Sequence, residues 1–140
     1  MTVTPPSYWY TYLGQEADAR RFDFRVMAAK DAHISLSPVP DTGLRDQYEI
    51  VIGCYGNFWS DIRRCKQGCS TAYRYTWGIL SPKEFRGFWV AFDRASGEIA
   101  LGREGQASPF LTRVDPNPRN VTVVGLSGYY GTQVVFKYPC

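Results

Sequence analysis

Apolar and polar residues alternate along most of this chain in short runs, and the period is two. Within Phe22–Ala29, the side chains of Phe22, Phe24, Val26 and Ala28 share one side, and Asp23, Arg25 and Met27 share the other. The next run repeats the pattern, with Ala32, Ile34 and Leu36 opposed to His33, Ser35 and Ser37 before Pro38 and Pro40 end it. A period of two sends successive side chains to opposite faces of a strand. Further runs of this kind are Tyr8–Leu13, Tyr48–Gly53, Ser60–Arg64, Tyr73–Trp77, Gly87–Phe92, Glu98–Gly102, Val121–Leu126 and Thr132–Tyr138. Asp93–Gly97 reads as a turn joining two of them into a hairpin. Only Gln15–Arg21 and Ser81–Phe85 have any helical character, a turn or two each. About nine short strands with turn signals between them predict an all-β fold, an antiparallel two-sheet β-sandwich or jelly roll. Trp77 and Trp89 lie inside apolar strand patterns and are expected in its core.

At 140 residues the chain is long enough for a single domain, residues 1–140, and too short for two. Thirteen Gly and nine Pro are scattered as punctuation, which suits tight turns and not a helical bundle. Net charge is +3, too mild for the concentrated basic face of a nucleic-acid binder. No run approaches the roughly 18 apolar residues of a membrane span.

The four cysteines are even in number, and Asn120-Val-Thr122 is an N-glycosylation sequon. Both favour a secreted, extracellular domain, although Met1–Pro6 has no signal-peptide pattern. The favoured pairing is Cys65–Cys69, closing a small loop, with Cys54–Cys140 tying down the C-terminus. A bridge between two subunits through Cys140, which would make a homodimer, is the alternative. The spacing fits no zinc pattern well.

The chemistry that is missing matters as much. His33 is the one histidine and reads as a solitary surface or half-buried residue. There is no P-loop, Gly-x-Ser-x-Gly, His-Glu-x-x-His or βαβ alternation to hold a nucleotide cofactor. What remains is binding chemistry. The hairpin tip Gly53–Asp61 combines glycines with Asn57, Trp59 and Asp61, and Arg63 and Arg64 follow. Flat aromatics stack on sugar rings, and planar Asp, Asn and Arg groups hydrogen-bond neighbouring hydroxyls. Only one of Arg63 and Arg64 can share the face of Asp61. The competing reading has Asn57 holding a turn, Trp59 filling core and Asp61 pairing with an arginine. A second candidate is the glycine-flanked turn displaying Tyr129 and Tyr130. A third is Asp115-Pro-Asn-Pro, whose Asp115 could ligate calcium, the one cofactor left open; no other is expected.

Asp31-Ala-His-Ile-Ser-Leu36, Tyr48-Glu-Ile-Val-Ile-Gly53 with Asn57, Ser60-Asp-Ile-Arg-Arg64, and Phe88-Trp-Val90 with Gly97-Glu-Ile-Ala-Leu-Gly102 together resemble the farnesoic acid O-methyltransferase-type domain. Phe110-Leu111, Asp115-Pro116 and Val123–Ser127 extend the resemblance across most of the chain. By name, this family implies methyl transfer from S-adenosylmethionine to an isoprenoid acid. Domains of this type also accompany recognition modules in secreted invertebrate proteins, which implies a lectin-like role. Cysteines at 54, 65 and 69 depart from the usual pattern, and no catalytic residue carries over. The sequence therefore predicts a non-enzymatic carbohydrate-binding domain whose partner is a glycan or glycoprotein. The alternatives are the methyltransferase and a structural protein-interaction module.

Overall fold

The computed structural model describes residues 1–6, 9–14, 19–40, 47–64 and 70–138. Among these residues twelve strands form two six-stranded sheets. In chain order they are β1 (Thr2–Val3), β2 (Thr11–Tyr12), β3 (Arg21–Met27), β4 (Ala32–Ser37), β5 (Tyr48–Gly53) and β6 (Trp59–Arg63). Then come β7 (Ser70–Tyr75), β8 (Arg86–Asp93), β9 (Glu98–Arg103), β10 (Leu111–Val114), β11 (Val123–Ser127) and β12 (Val135–Lys137). One short irregular helix, α1 (Cys54–Asn57), joins β5 to β6. The first sheet has the order β1-β12-β3-β8-β9-β10, the second β2-β11-β4-β5-β6-β7, and all pairings are antiparallel.

The alternation read from sequence sets the core. On β3, Phe22, Phe24 and Val26 are buried while Arg21, Asp23 and Arg25 are exposed. Phe24 packs against Phe88 of β8 and Phe136 of β12. The second sheet contributes Ile34, Ile50 and Ile62, which lie in register across β4, β5 and β6 and are fully buried. Burying side chains of this size contributes about 1.5–3 kcal/mol each, an upper estimate against a compact unfolded state.

Several expectations need correction. Among the described residues there are twelve strands where about nine are expected; each of the ten alternating runs holds one, and β1, with two residues, and β10, with four, are too short to show a period. Ser81–Phe85 is a bend and loop with no helix; most of Gln15–Arg21 lies outside the described residues, and Arg21 already belongs to β3. Trp77 is not a core residue: it follows β7 and is 68% exposed. Trp89 is buried, but on the outer side of its sheet, where it lies over Gly102, beneath Arg21, and donates from Nε1 to the Gln106 carbonyl at 2.9 Å. Among the described residues, no helix is long and apolar enough to cross a membrane.

Candidate functional site

Strand register assembles the site. Directly paired residues share a face, so the core row Ile34–Ile50–Ile62–Ala72 has outward-facing rows on either side of it. One runs Ser127–His33–Val51–Asp61–Tyr73, and the other Tyr12–Gly125–Ser35–Glu49–Arg63. Three adjacent strands, β4, β5 and β6, thus bring a histidine, two carboxylates and a guanidinium onto one face.

This outward face is not an ordinary wet surface. Glu49 is 0% exposed, and His33, Ser35 and Asp61 are also buried. Arg63 closes the network, Nε donating to Asp61 at 2.9 Å and Nη1 to Glu49 at 3.2 Å. Burial alone would lower the pKa of Arg63, but the Asp61 and Glu49 carboxylates more than reverse this. Tyr10 donates its hydroxyl to Glu49; burial first, then the Glu49 charge, hold that phenol well above its ordinary range. Tyr10 and Tyr12 can lie over this sheet because Gly125 sits beneath them. A Cβ there would come within 3.1 Å of Tyr12 and 3.2 Å of Tyr10. Nδ1 of His33 is 3.6 Å from Glu49 and Nε2 is 3.8 Å from Asp31, charge contacts longer than hydrogen bonds. Burial works against protonation of His33, yet the two carboxylates outweigh it and raise its pKa. Among the described residues, His33 Nε2 and Gln47 Nε2 are buried without a hydrogen-bond partner, as is Arg113 Nη1 on β10 of the other sheet.

At the β6–β7 end the face opens. A hollow of about 230 Å³ is lined by Cys54, Tyr55, Trp59, Asp61 and Tyr73. Trp59 stands edge-on to Tyr73 and Tyr75, at 70° and 84°, with ring centroids 5.7 and 5.3 Å apart. The α1 tip shapes the rim through a run of left-handed residues, Gly53 (φ 73°), Tyr55 (50°), Gly56 (72°) and Asn57 (71°). Tyr55 in that region is strained, a cost of order 1 kcal/mol or more that functional sites tend to retain. The tip is held from behind, where Asn57 Nδ2 donates to the Leu80 carbonyl (2.9 Å) and Asn57 Oδ1 accepts from the Leu80 amide (3.1 Å).

The residues singled out from sequence therefore divide. Trp59, Asp61 and Arg63 meet on the outward face, and Arg63, not Arg64, is the arginine that shares the side of Asp61. Asn57 is spent on the turn. Arg64 and Asp115 belong to another cluster, where Arg64 Nε (2.8 Å) and the Tyr48 hydroxyl (2.6 Å) both donate to Asp115. Burial would raise the pKa of Asp115, but those donors and the Asn117 amide bring it down to about 2. Its oxygens are committed within the protein. Among the described residues no group of three or more His, Cys, Asp or Glu could hold a metal ion. Tyr129 and Tyr130 pack edge-on, 5.8 Å apart, on the exposed β11–β12 connection. They are outside the hollow. Cys54 is a free, buried thiol, against the bridge to Cys140 expected above, and burial pushes its pKa up to about 11. Cys65, Cys69 and Cys140 lie outside the described residues. Sequence reading missed His33, Glu49, Tyr10 and Tyr73 as members of the site. The signal available was the polar half of each alternating strand.

These features define a class: an all-β, two-sheet sandwich of galectin-like fold with a recessed polar face on one sheet. The structure superposes on the galectin LEC-6 of Caenorhabditis elegans with a TM-score of 0.56 at 13% identity, covering 96% of this chain and 92% of that one. A native glycosidic hydrolase aligns with a TM-score of 0.55 at 11% identity over 88% of this chain, which spans only 66% of the hydrolase chain. No curated protein matches the sequence. The chain belongs to the farnesoic acid O-methyl transferase family, whose model matches residues 6–140.

Proposed function

We propose that this domain binds carbohydrate without turning it over, through the hollow formed by Tyr55, Trp59, Asp61 and Tyr73. The observation that carries this reading is the convergence of a buried, oriented carboxylate with flat aromatic walls at the open end of a desolvated polar row. A sugar ring presents an apolar C–H face and a polar rim, and this hollow offers a partner for each. Arg63 holds the Asp61 carboxylate in one orientation, so hydroxyl stereochemistry is read by a group with little freedom to adapt. The likeness in fold to a protein named as a galectin supports the reading. An extracellular setting, where glycans are displayed, belongs to the same proposal.

A glycan array, run with and without a calcium chelator, tests it. Binding is expected to a defined set of glycans, unaffected by the chelator because among the described residues no group of three or more His, Cys, Asp or Glu could hold a metal ion. Trp59→Ala should weaken binding more than tenfold, on the scale of a central aromatic contact worth about 2 kcal/mol. Undiminished binding by that variant would move the site, and silence across a broad array would reject the reading. The family's name supplies a direct check on the absence of turnover. Incubation with S-adenosylmethionine and farnesoic acid should yield no methyl ester, and its formation would overturn that part of the proposal.

A further inference from the structure

The hollow accounts for only part of the aromatic surface at this end of the sheet. Beyond it, Tyr75 is 56% exposed, and Trp77, two residues further along, is 68% exposed. Tyr73, Tyr75 and Trp77 alternate with Arg74 and Thr76, which turn the other way: Thr76 is buried against the Ser60 hydroxyl, and Arg74 spends Nη1 on the Phe110 carbonyl. Pairing with the tip continues past β7, because the Thr76 amide donates to Phe58 and the Gly78 amide to Asn57. The outcome is a row of exposed rings in which Tyr73 and Tyr75 stand on one side of β7, about 6–7 Å apart by the strand rise, and Trp77 follows in the turn just past the end of the strand. Soluble domains seldom leave so many contiguous aromatics uncovered without a ligand for them. The charge of the site is equally informative. The Asp61 carboxylate lines the hollow, and the Arg63 guanidinium is engaged by both Asp61 and Glu49. Among the described residues, none that lines the hollow is cationic.

We propose that the site reads a linear, uncharged oligosaccharide, one ring held in the hollow and the following rings stacked on Tyr75 and Trp77. This rests on the carbohydrate reading above and adds the length and charge of the ligand. The row supplies one aromatic platform per successive ring. A sulfated or carboxylated ring would meet Asp61 in a cluster where two carboxylates, Asp61 and Glu49, share the one Arg63 guanidinium.

Titration calorimetry with neutral glucose-, galactose- and mannose-based saccharides of one to four rings, and with their terminally sulfated forms, tests the proposal. Affinity for neutral chains should rise from one ring to three and then level off. Trp77→Ala should remove about threefold to tenfold of that gain, the scale of one aromatic contact, while binding the single ring as wild type does, and Tyr75→Ala, which also takes away a ring packed on Trp59, should remove at least as much. Both side chains are exposed, so circular dichroism should show the fold unchanged. Sulfated forms should bind more weakly than their neutral counterparts. Binding of single rings with no gain from length would overturn the extension and leave the carbohydrate reading standing. Tighter binding of the sulfated forms would overturn the charge argument. Silence across the whole panel would overturn both this inference and the reading beneath it.

Discussion

The outward faces of the two sheets carry the same residue types and treat them in opposite ways. On the first sheet, Arg21 pairs with Asp23 at 3.1 Å and Arg25 with Glu104 at 2.9 Å, and all four side chains are roughly half exposed. On the second, Arg63 pairs with Asp61 and Glu49 at similar distances, but the side chains are 12%, 4% and 0% exposed. Solvated ion pairs add little to stability and are screened by salt. A desolvated network costs free energy that hydrophobic residues of the same size would not. The second face thus keeps an arrangement that stability alone does not favour, and holding oriented polar groups for a ligand gives a reason to keep it.

The comparison makes its largest prediction at Glu49. Glu49→Ala takes the acceptor of Arg63 Nη1 and of the Tyr10 hydroxyl out of a buried network, and should destabilise the fold by about 3–5 kcal/mol in urea unfolding. A loss below about 1 kcal/mol would mean that the network is effectively solvated. Replacing Glu49, Asp61 and Arg63 together by apolar residues of similar volume should be neutral or stabilising by about 1–4 kcal/mol while abolishing glycan binding. Destabilisation of the triple variant by several kcal/mol would show that the network is there for the fold.

A pH effect comes next. The His33 pKa is raised in the folded state, so its charged form contributes stability below the ordinary histidine value of about 6.5. That contribution is lost as pH rises through the higher folded value. Melting temperatures measured from pH 5.5 to 8.5 should fall more in wild type than in His33→Gln. A steeper fall in the variant would reverse the assignment. The smallest effect belongs to the solvated face, where Glu104→Ala should cost less than about 1 kcal/mol and become undetectable at high salt.

How far the sequence could anticipate all this follows from what alternation encodes. It records which side of a strand a residue occupies, so the buried side of β3 and the shared side of His33, Ser35 and Ser37 were legible. It does not record which strands are neighbours. Glu49 and Arg63 are fourteen positions apart and meet only because β5 pairs with β6 in one register. His33 looked solitary for the same reason, since Glu49 reaches it from the adjacent strand. Trp77 misled because an aromatic in an alternating run looks the same whether its side is packed or open. Arg64 and Asp115 have the residue types of a sugar or calcium site, yet each satisfies the other. Asn57 fits a sugar contact or a turn equally well by residue type, and its left-handed backbone and its bonds to Leu80 assign it to the turn.

The central claim is that the outward face of the β2-β11-β4-β5-β6-β7 sheet is the binding surface. A ¹H–¹⁵N correlation titration with a glycan identified on the array tests it most directly. The account predicts that the largest shifts fall on the Trp59 indole and the amides of Asp61 and Tyr73, with little change on β3 and β8. Shifts concentrated at Arg21, Trp89 and Glu104, or at Tyr129 and Tyr130, would contradict it.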